Sequence, residues 1–343
     1  MHWIVFAVAA AIVLSAVLTF LARRYAQRRN VLDLPNDRSS HTQPTPRGGG
    51  IGIVVVVAAY GVIALWQGLL EPHIALALAG GLLIAFVGWL DDHRHVSQWV
   101  RLIVQIVSAV WAVYWLGGKT LWQIGPYAID LGMLGNVVAA LLLVWLTNLY
   151  NFMDGIDGFA GMEGAFVCGV GGLLLWADGA TSLAAFAWVL AGGCVGFLTW
   201  NWPPAKVFMG DVGSAAVGFL IGVLAFASET TGGAPTLLWL VLAGLFVADA
   251  TLTLFLRAWR GERWYSAHRS HAYQLLTRRG WSHLRVTVFA LSINLLVLLP
   301  LVLAMWARPA QAALFAILGA SVLAWLWVIV QQASDFERRL GNP

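Results

Sequence analysis

Eleven apolar stretches, each close to the length of a membrane-crossing helix, follow one another through almost the whole of this chain. They lie near residues 3–22, 49–70, 74–90, 99–117, 133–149, 159–177, 183–200, 213–228, 235–256, 285–306 and 311–332. A span needs roughly 20 mainly apolar residues, and in hydrocarbon a helix satisfies its own backbone hydrogen bonds. The chain is therefore expected to be an all-α, polytopic membrane protein with about eleven transmembrane helices. Charged residues make up 10% of it, against about 25% in a soluble domain. No fixed-period repeat or low-complexity linker divides the 343 residues, so residues 1–343 read as a single domain.

Charge placement orients the bundle. The cluster Arg23, Arg24, Arg28 and Arg29 follows the first apolar stretch and nothing cationic precedes it, the reverse of a cleaved signal peptide. With the N-terminus outside, segments 23–48, 91–101, 147–158, 200–212, 257–285 and 333–343 fall on the cytoplasmic side. They hold 18 of the 20 Lys and Arg residues; Lys119 and Arg308 are the others. The positive-inside rule thus predicts an external N-terminus and a cytoplasmic C-terminus. The external loops are short except 118–132, which is long enough for a small hairpin. The net charge of +4 is modest, and no nucleic-acid partner is expected. The bilayer itself is the expected surrounding, and the oligomeric state is open, a homodimer included.

In this orientation the polar clusters crowd one face. Asp91 and Asp92 end the third stretch in GWLDDHRHVSQ; adjacent carboxylates call for a cation or a proton, unless they form a solvated helix end. NLYNFMDGIDG sets Asn148, Asn151, Asp154 and Asp157 at three-residue spacing, one face if the segment is helical. Such oxygen ligands suit a hard cation such as Mg²⁺, which binds few carboxylates and completes its shell with water and substrate phosphates. WNWPPAKVFMGDVGS joins Lys206, Phe208 and Asp211: a cation, a stacking surface and a metal ligand, as a nucleoside diphosphate would require. Glycine-rich starts at 46–52, 154–161 and 210–218 place helix N-termini at this face, where free N–H groups and the positive dipole end favour phosphate. Their glycines allow close approach of a ligand, or only tight helix packing.

The basic loop 257–284 either holds anionic lipid or brings His268, Arg269 and His271 to a pyrophosphate or a proton transfer. Asp249, inside the ninth stretch, either pairs with a polar neighbour or marks function. His93, His95, Glu163, Glu229 and His283 read as loop or helix-end residues. Cys168 and Cys194 lie in apolar runs without ligand spacing and read as small core residues. The 19 Trp fit interfacial belts and packing.

The segments SSHTQPTPRGGG, GWLDD, NLYNFMDGIDG, NWPPAKVFMGDVGS and AHRSHAYQ, in that order between about residues 38 and 274, resemble the polyprenyl-phosphate N-acetylhexosamine-1-phosphate transferase family. This family includes the phospho-MurNAc-pentapeptide translocase and the enzymes that start O-antigen and teichoic-acid linkage units. The resemblance implies ten or eleven helices with a cytoplasmic active site in a bacterial inner membrane. It implies Mg²⁺, with Mn²⁺ as a substitute, on Asp211 and Asn151, Phe208 against uracil, and Asp154, Asp157 and Asn201 near the nucleotide. His41, Arg47 and the loop carrying His268, Arg269 and His271 would contact phosphates or sugar, and Asp91, supported by Asp92, would deprotonate the lipid phosphate. The peptidoglycan translocase carries a denser run of histidines in its last cytoplasmic loop, so His268-Arg269-Ser270-His271 looks more like the O-antigen-initiating branch.

The implied reaction moves a sugar 1-phosphate from a UDP-N-acetylhexosamine to undecaprenyl phosphate and releases UMP. Attack by the acceptor itself or through an aspartyl intermediate is open. A MurNAc-pentapeptide or teichoic-acid substrate is the alternative within the class. An anion transporter would instead carry its coupling acids at midplane on both halves of a repeat, which this chain does not.

Overall fold

The computed structural model describes residues 2–35, 43–262 and 268–339, the last six by backbone alone. All eleven apolar stretches are helical. In chain order the helices are α1 (His2–Arg29), α2 (Ile51–Trp66), α3 (Pro72–His93), α4 (Gln98–Trp115), α5 (Met133–Phe152), α6 (Phe159–Ala177), α7 (Thr181–Asn201), α8 (Asp211–Thr230), α9 (Thr236–Leu242), α10 (Gly244–Trp259), α11 (Ala272–Arg278), α12 (His283–Ile293), α13 (Leu299–Ala307) and α14 (Ala312–Arg339). The loop after α4 folds back as an antiparallel hairpin, β3 (Leu121–Ile124) on β4 (Tyr127–Asp130), as its length suggested. A two-residue pair, β1 (Leu32–Asp33) on β2 (Thr45–Pro46), leads into α2.

Among the described residues eight helices are by themselves long and apolar enough to cross a bilayer, or nine if the bent α9–α10 pair counts as one. The expected eleven is higher for two reasons. At 16 residues α2 is about 24 Å long, less than the ~30 Å hydrocarbon core. Helix α4 carries Gln98, Arg101 and Gln105 in its first half.

The ninth expected span is also not one helix, since α9 and α10 meet at 82°. Hydropathy runs unbroken across Ala243–Gly244, so nothing in the sequence marked the corner. The Glu229 carboxylate accepts the Thr236 N–H at 2.7 Å at the start of α9, and Leu238, Trp239 and Leu242 of that short helix are buried. Between α12 and α13 the chain makes a π turn, Asn294–Leu298, just ahead of Pro300, which has no N–H to give the preceding helical turn.

Helix α8 is the axis of the molecule. Every residue from Val212 to Glu229 is buried, and α3 and α5 pack along it. The crossing with α3 is closest at Gly88, where a Cβ would lie 2.5 Å from the Asp211 backbone. Cys168 and Cys194 are free and buried, as expected. Helices α3, α5 and α7 end, and α2, α4, α6 and α8 begin, at one end of the bundle, which carries the acids. At the opposite end Lys119 Nζ and Glu229 Oε1 form a buried ion pair at 2.5 Å beneath the hairpin, and Glu229 Oε1 also accepts the Gln123 N–H.

Candidate active site

Adjacent aspartates on α3 do different work because neighbouring helical residues point about 100° apart. Asp92 turns into the protein and accepts the Asp211 and Val212 N–H groups at 3.1 and 3.2 Å, capping the N-terminus of α8. Asp91 faces α4: its Oδ1 accepts the Val96 N–H at 2.7 Å and its Oδ2 the Arg101 guanidinium at 2.9 Å. The same Arg101 nitrogen donates at 2.9 Å to Asp211 Oδ2. One cation thus bridges the end of α3 and the start of α8. Arg47 completes this wall, donating to the Asp91 and Asp92 carbonyls at 2.7 and 3.0 Å and lying 3.7 Å from Asp92 Oδ1.

Helix α5 supplies the facing side. Asn151 Nδ2 donates to Asp211 Oδ1 at 3.0 Å and to Ser214 Oγ at 2.8 Å, which leaves its own Oδ1 as an acceptor. Asn148 is exchanged into an amide pair with Gln105 of α4. The four-residue row does not continue as a helical face, because α5 stops at Phe152 and Gly158 turns left-handed at φ +77°. Asp154 and Asp157 therefore sit on a loop.

Asp157 is held by the Ala205 N–H at 3.0 Å and by His283 Nδ1 at 3.1 Å. The sequence had placed His283 among plain helix-end residues. Asp154 is half-buried and its carboxylate accepts no hydrogen bond among the described residues. Burial, followed by the nearby Asp211, Asp92 and Asp157, pushes its pKa well above the usual carboxylate value.

The nucleotide-side residues divide. Asn201 is 3% exposed and spent on both ends, accepting the Gly158 N–H and donating to the Val207 carbonyl, each at 2.9 Å. It braces the loops behind the site and does not open into it. Phe208 is half-buried on a strand-like segment bonded to Pro46 and Gly49. Lys206 is exposed, its Nζ 5.5 Å over the Trp200 ring. His41 lies outside the described residues.

His268 accepts or donates at 2.9 Å with Ser270 Oγ and lies 4.8 Å from the His271 ring. Its pKa is lowered to about 4, chiefly by burial and then by His271 and Arg257, so it is neutral near pH 7. His271 caps α11 and stacks at 6.4 Å on Phe152 at the end of α5. The loop therefore joins the same site. Arg269 stands between them, half-buried.

Two expectations about the backbone change. The glycines at 48–50 admit protein: a Cβ on Gly50 would lie 2.5 Å from Gly213, and the Gly49 and Gly50 N–H groups bond the Phe208 and Met209 carbonyls. The α8 N-terminus is filled by Asp92, so those two amides are not free for phosphate. Arg101 went unnoticed in the sequence beyond its topological charge, although an ionisable residue inside an apolar helix is a functional signal.

No three His, Cys, Asp or Glu side chains converge at metal-ligand distance among the described residues. The donor chemistry nonetheless suits a hard cation. Asp91, Asp92 and Asp211 gather with two guanidiniums, Arg47 and Arg101, and Asp154 lies close enough to Asp211, Asp92 and Asp157 to feel their charge. Among the described residues Asp154 accepts no hydrogen bond, and Asn151, bonded to Asp211 through Nδ2, has its Oδ1 left as an acceptor. An oxygen set of this kind takes Mg²⁺ when waters and substrate phosphates complete the shell.

Fold and site together define a multi-pass membrane protein with an arginine-bridged carboxylate cluster at one end of its helices. The family model described as glycosyl transferase family 4 matches residues 74–229, the stretch from α3 through α8 that builds this cluster. The undecaprenyl-phosphate alpha-N-acetylglucosaminyl 1-phosphate transferase of Escherichia coli (strain K12) is 30% identical over 285 residues, 78% of this chain and 75% of the relative. The namesake enzyme of Yersinia pestis is 32% identical over 281 residues, with the same coverage. The phospho-N-acetylmuramoyl-pentapeptide-transferase of Moorella thermoacetica is 33% identical over 294 residues, 80% of this chain and 88% of the relative. This chain belongs to glycosyl transferase family 4.

Proposed function

We propose that this protein transfers an N-acetylhexosamine 1-phosphate from its UDP derivative to undecaprenyl phosphate, releasing UMP and beginning a bacterial surface glycan such as O-antigen. The observation that carries the reading is the bridging of Asp91 and Asp211 by Arg101, with Asn151 bonded to Asp211 and Asp154 close by, in a chain whose relatives bear sugar-1-phosphate transferase names. The site faces the cytoplasm of the inner membrane, where the positive-inside rule puts 18 of 20 Lys and Arg residues. The spaced histidines of residues 268–271 favour an O-antigen-type donor. The Moorella relative favours a muramoyl-pentapeptide donor as the second reading.

In the reaction an oxygen of the acceptor phosphate forms a bond to the β-phosphorus of the UDP-sugar. The bond from that phosphorus to the bridging oxygen breaks, and the electron pair leaves with UMP. Such transfer depends on positioning and charge neutralisation more than on covalent chemistry by the protein. A phosphate monoester with a second pKa of about 6 is mostly dianionic at neutral pH, so direct attack needs little base. Asp91, fixed by Val96 and Arg101, receives the proton of acceptor that arrives protonated. Asp92 holds the start of α8 and, through it, Asp211. Asp157, tied to His283, shapes the donor pocket with Asp154. Arg101 turns to the phosphates as they enter, and Arg47, Lys206 and the His268–His271 loop complete the cationic rim around Phe208.

Asp211 and Asn151 would hold Mg²⁺, or Mn²⁺ in its place. When bound it neutralises the pyrophosphate and the departing UMP.

The test is a transfer assay with purified protein, undecaprenyl phosphate and Mg²⁺ against a panel of UDP-N-acetylhexosamines and UDP-MurNAc-pentapeptide. Metal-dependent UMP release with one amino sugar is the expected result. Turnover of the muramoyl donor alone establishes the second reading. No turnover with any donor, from folded protein, overturns both.

A further inference from the structure

Asp249 is the one acid placed inside a bent span, and no part of the proposed chemistry uses it. Its carboxylate is 7% exposed as a residue and fully engaged. Oδ1 accepts the Ala272 N–H at 2.8 Å and the Thr253 hydroxyl at 3.1 Å, and Oδ2 accepts the Tyr273 N–H at 3.2 Å. His271 Nδ1 stands 3.6 Å away without a hydrogen bond. A buried carboxylate in a transmembrane helix is costly unless it is satisfied. Here it is satisfied by the first turn of α11, the helix that carries the histidine loop.

The contacts continue in both directions. Outward, Thr253 Oγ1 accepts the Trp327 indole N–H of α14 at 3.0 Å, and Gln331 of α14 donates to the Ser270 carbonyl at 2.9 Å. Inward, the Tyr273 hydroxyl donates to the Phe152 carbonyl at 2.9 Å. Burial pushes that hydroxyl well above its ordinary pKa, so it keeps its proton. Phe152 ends α5, one residue after Asn151 and two before Asp154. Remove the carboxylate, and the α11 N-terminus, the His268–His271 loop and the clamp on Phe152 lose their common anchor.

We infer that Asp249 is a positioning residue for donor binding, holding the histidine loop and the end of α5 in register through the chain Trp327–Thr253–Asp249–α11–Phe152. This inference rests on the reaction proposed above. It predicts a particular kinetic split. Loss of folded protein lowers Vmax at unchanged KM, whereas a loosened loop raises KM for the UDP-sugar and leaves KM for undecaprenyl phosphate as it was.

The experiment compares wild type with Asp249→Asn, Asp249→Ala and Thr253→Val by native-state hydrogen exchange and by steady-state kinetics on the donor that wild type turns over. Losing a charge-assisted bond should speed exchange at Ala272 and Tyr273 about tenfold or more, with α3 and α8 unchanged. Donor KM should rise about tenfold in the Asp249 variants and less in Thr253→Val. Wild-type exchange at residues 272–273, or a wild-type donor KM, in Asp249→Asn overturns the inference. If neither Asp249 variant folds, Thr253→Val decides it: unchanged kinetics and exchange refute the anchor. If wild type turns over no UDP-sugar, the proposed reaction fails, and hydrogen exchange still reports on the anchor alone.

Discussion

Replacing Arg101 with Met should tighten divalent-cation binding while turnover falls. Asp91 Oδ2 and Asp211 Oδ2 each lie 2.9 Å from the same Arg101 nitrogen, so they are at most about 5.8 Å apart, where two unit charges repel by about 3 kcal/mol at an effective dielectric of 20. In the wild type the guanidinium absorbs that repulsion and occupies one Asp211 oxygen. Without it, both carboxylates are open to a cation. Three kilocalories correspond to about a hundredfold in affinity; Arg101 is about one-third exposed (side chain 34%), so solvent screening brings the expectation to about ten- to a hundredfold. The assay is thermal unfolding of the detergent-solubilised proteins over a Mn²⁺ titration, with the apparent Kd taken from the stabilisation that ligand binding imparts. Cation affinity equal to or weaker than wild type in Arg101→Met would refute the bridge.

Three further outcomes follow from named contacts. In cation-free buffer Asp154→Asn should raise Tm, and more so with increasing pH: the folded-state pKa of Asp154 is raised, so the folded protein holds a proton the unfolded chain has lost, and wild-type stability falls as pH climbs above the ordinary carboxylate value. A flat difference between the two proteins from pH 5 to 8 would contradict this. His268 has the opposite sign. Its pKa is lowered to about 4, so wild type loses stability as pH falls from about 6.5 toward 4, and a pH–Tm profile of His268→Gln should lack that component. Lys119→Met strands a buried Glu229 and should cost about 3–5 kcal/mol, measured by denaturation. The activity of the folded fraction should stay unchanged, because Glu229 lies 18 residues, about 27 Å, along α8 from Asp211.

Hydropathy carried the helices and the hairpin because bilayer length and loop length are properties of consecutive residues. It failed where geometry depends on a distant partner. The start of α9 is bonded by Glu229, seven residues earlier, and the amide pair of Asn148 needs Gln105 on another helix. The acids of the site were legible as residue types at a shared face. Their division of labour was not. Spacing by three suggested one helical face for Asn148 to Asp157, yet the helix ends at Phe152, after Asn151 has already been placed, and the chain turns left-handed at Gly158 before α6. Arg101 was visible only as a positive-inside charge, since nothing local shows that it reaches Asp211, 110 residues on.

The glycine-rich helix starts illustrate why a phosphate-binding pattern is not yet a phosphate site. A helix N-terminus favours an anion whether that anion belongs to the ligand or to the protein. At α8 the protein supplies its own: Asp92 takes the Asp211 and Val212 amides, and Gly88, Gly50 and Gly213 let the surrounding helices close over the junction. That arrangement fixes Asp211 from behind while leaving its carboxylate facing forward to Arg101 and Asn151. With two of the α8 amides consumed, an incoming pyrophosphate must be met by charge, from guanidiniums or from a cation on the carboxylates. On the proposed reaction the arginines would supply part of that charge, and a substitution that keeps every aspartate but removes Arg101 should still disable the site.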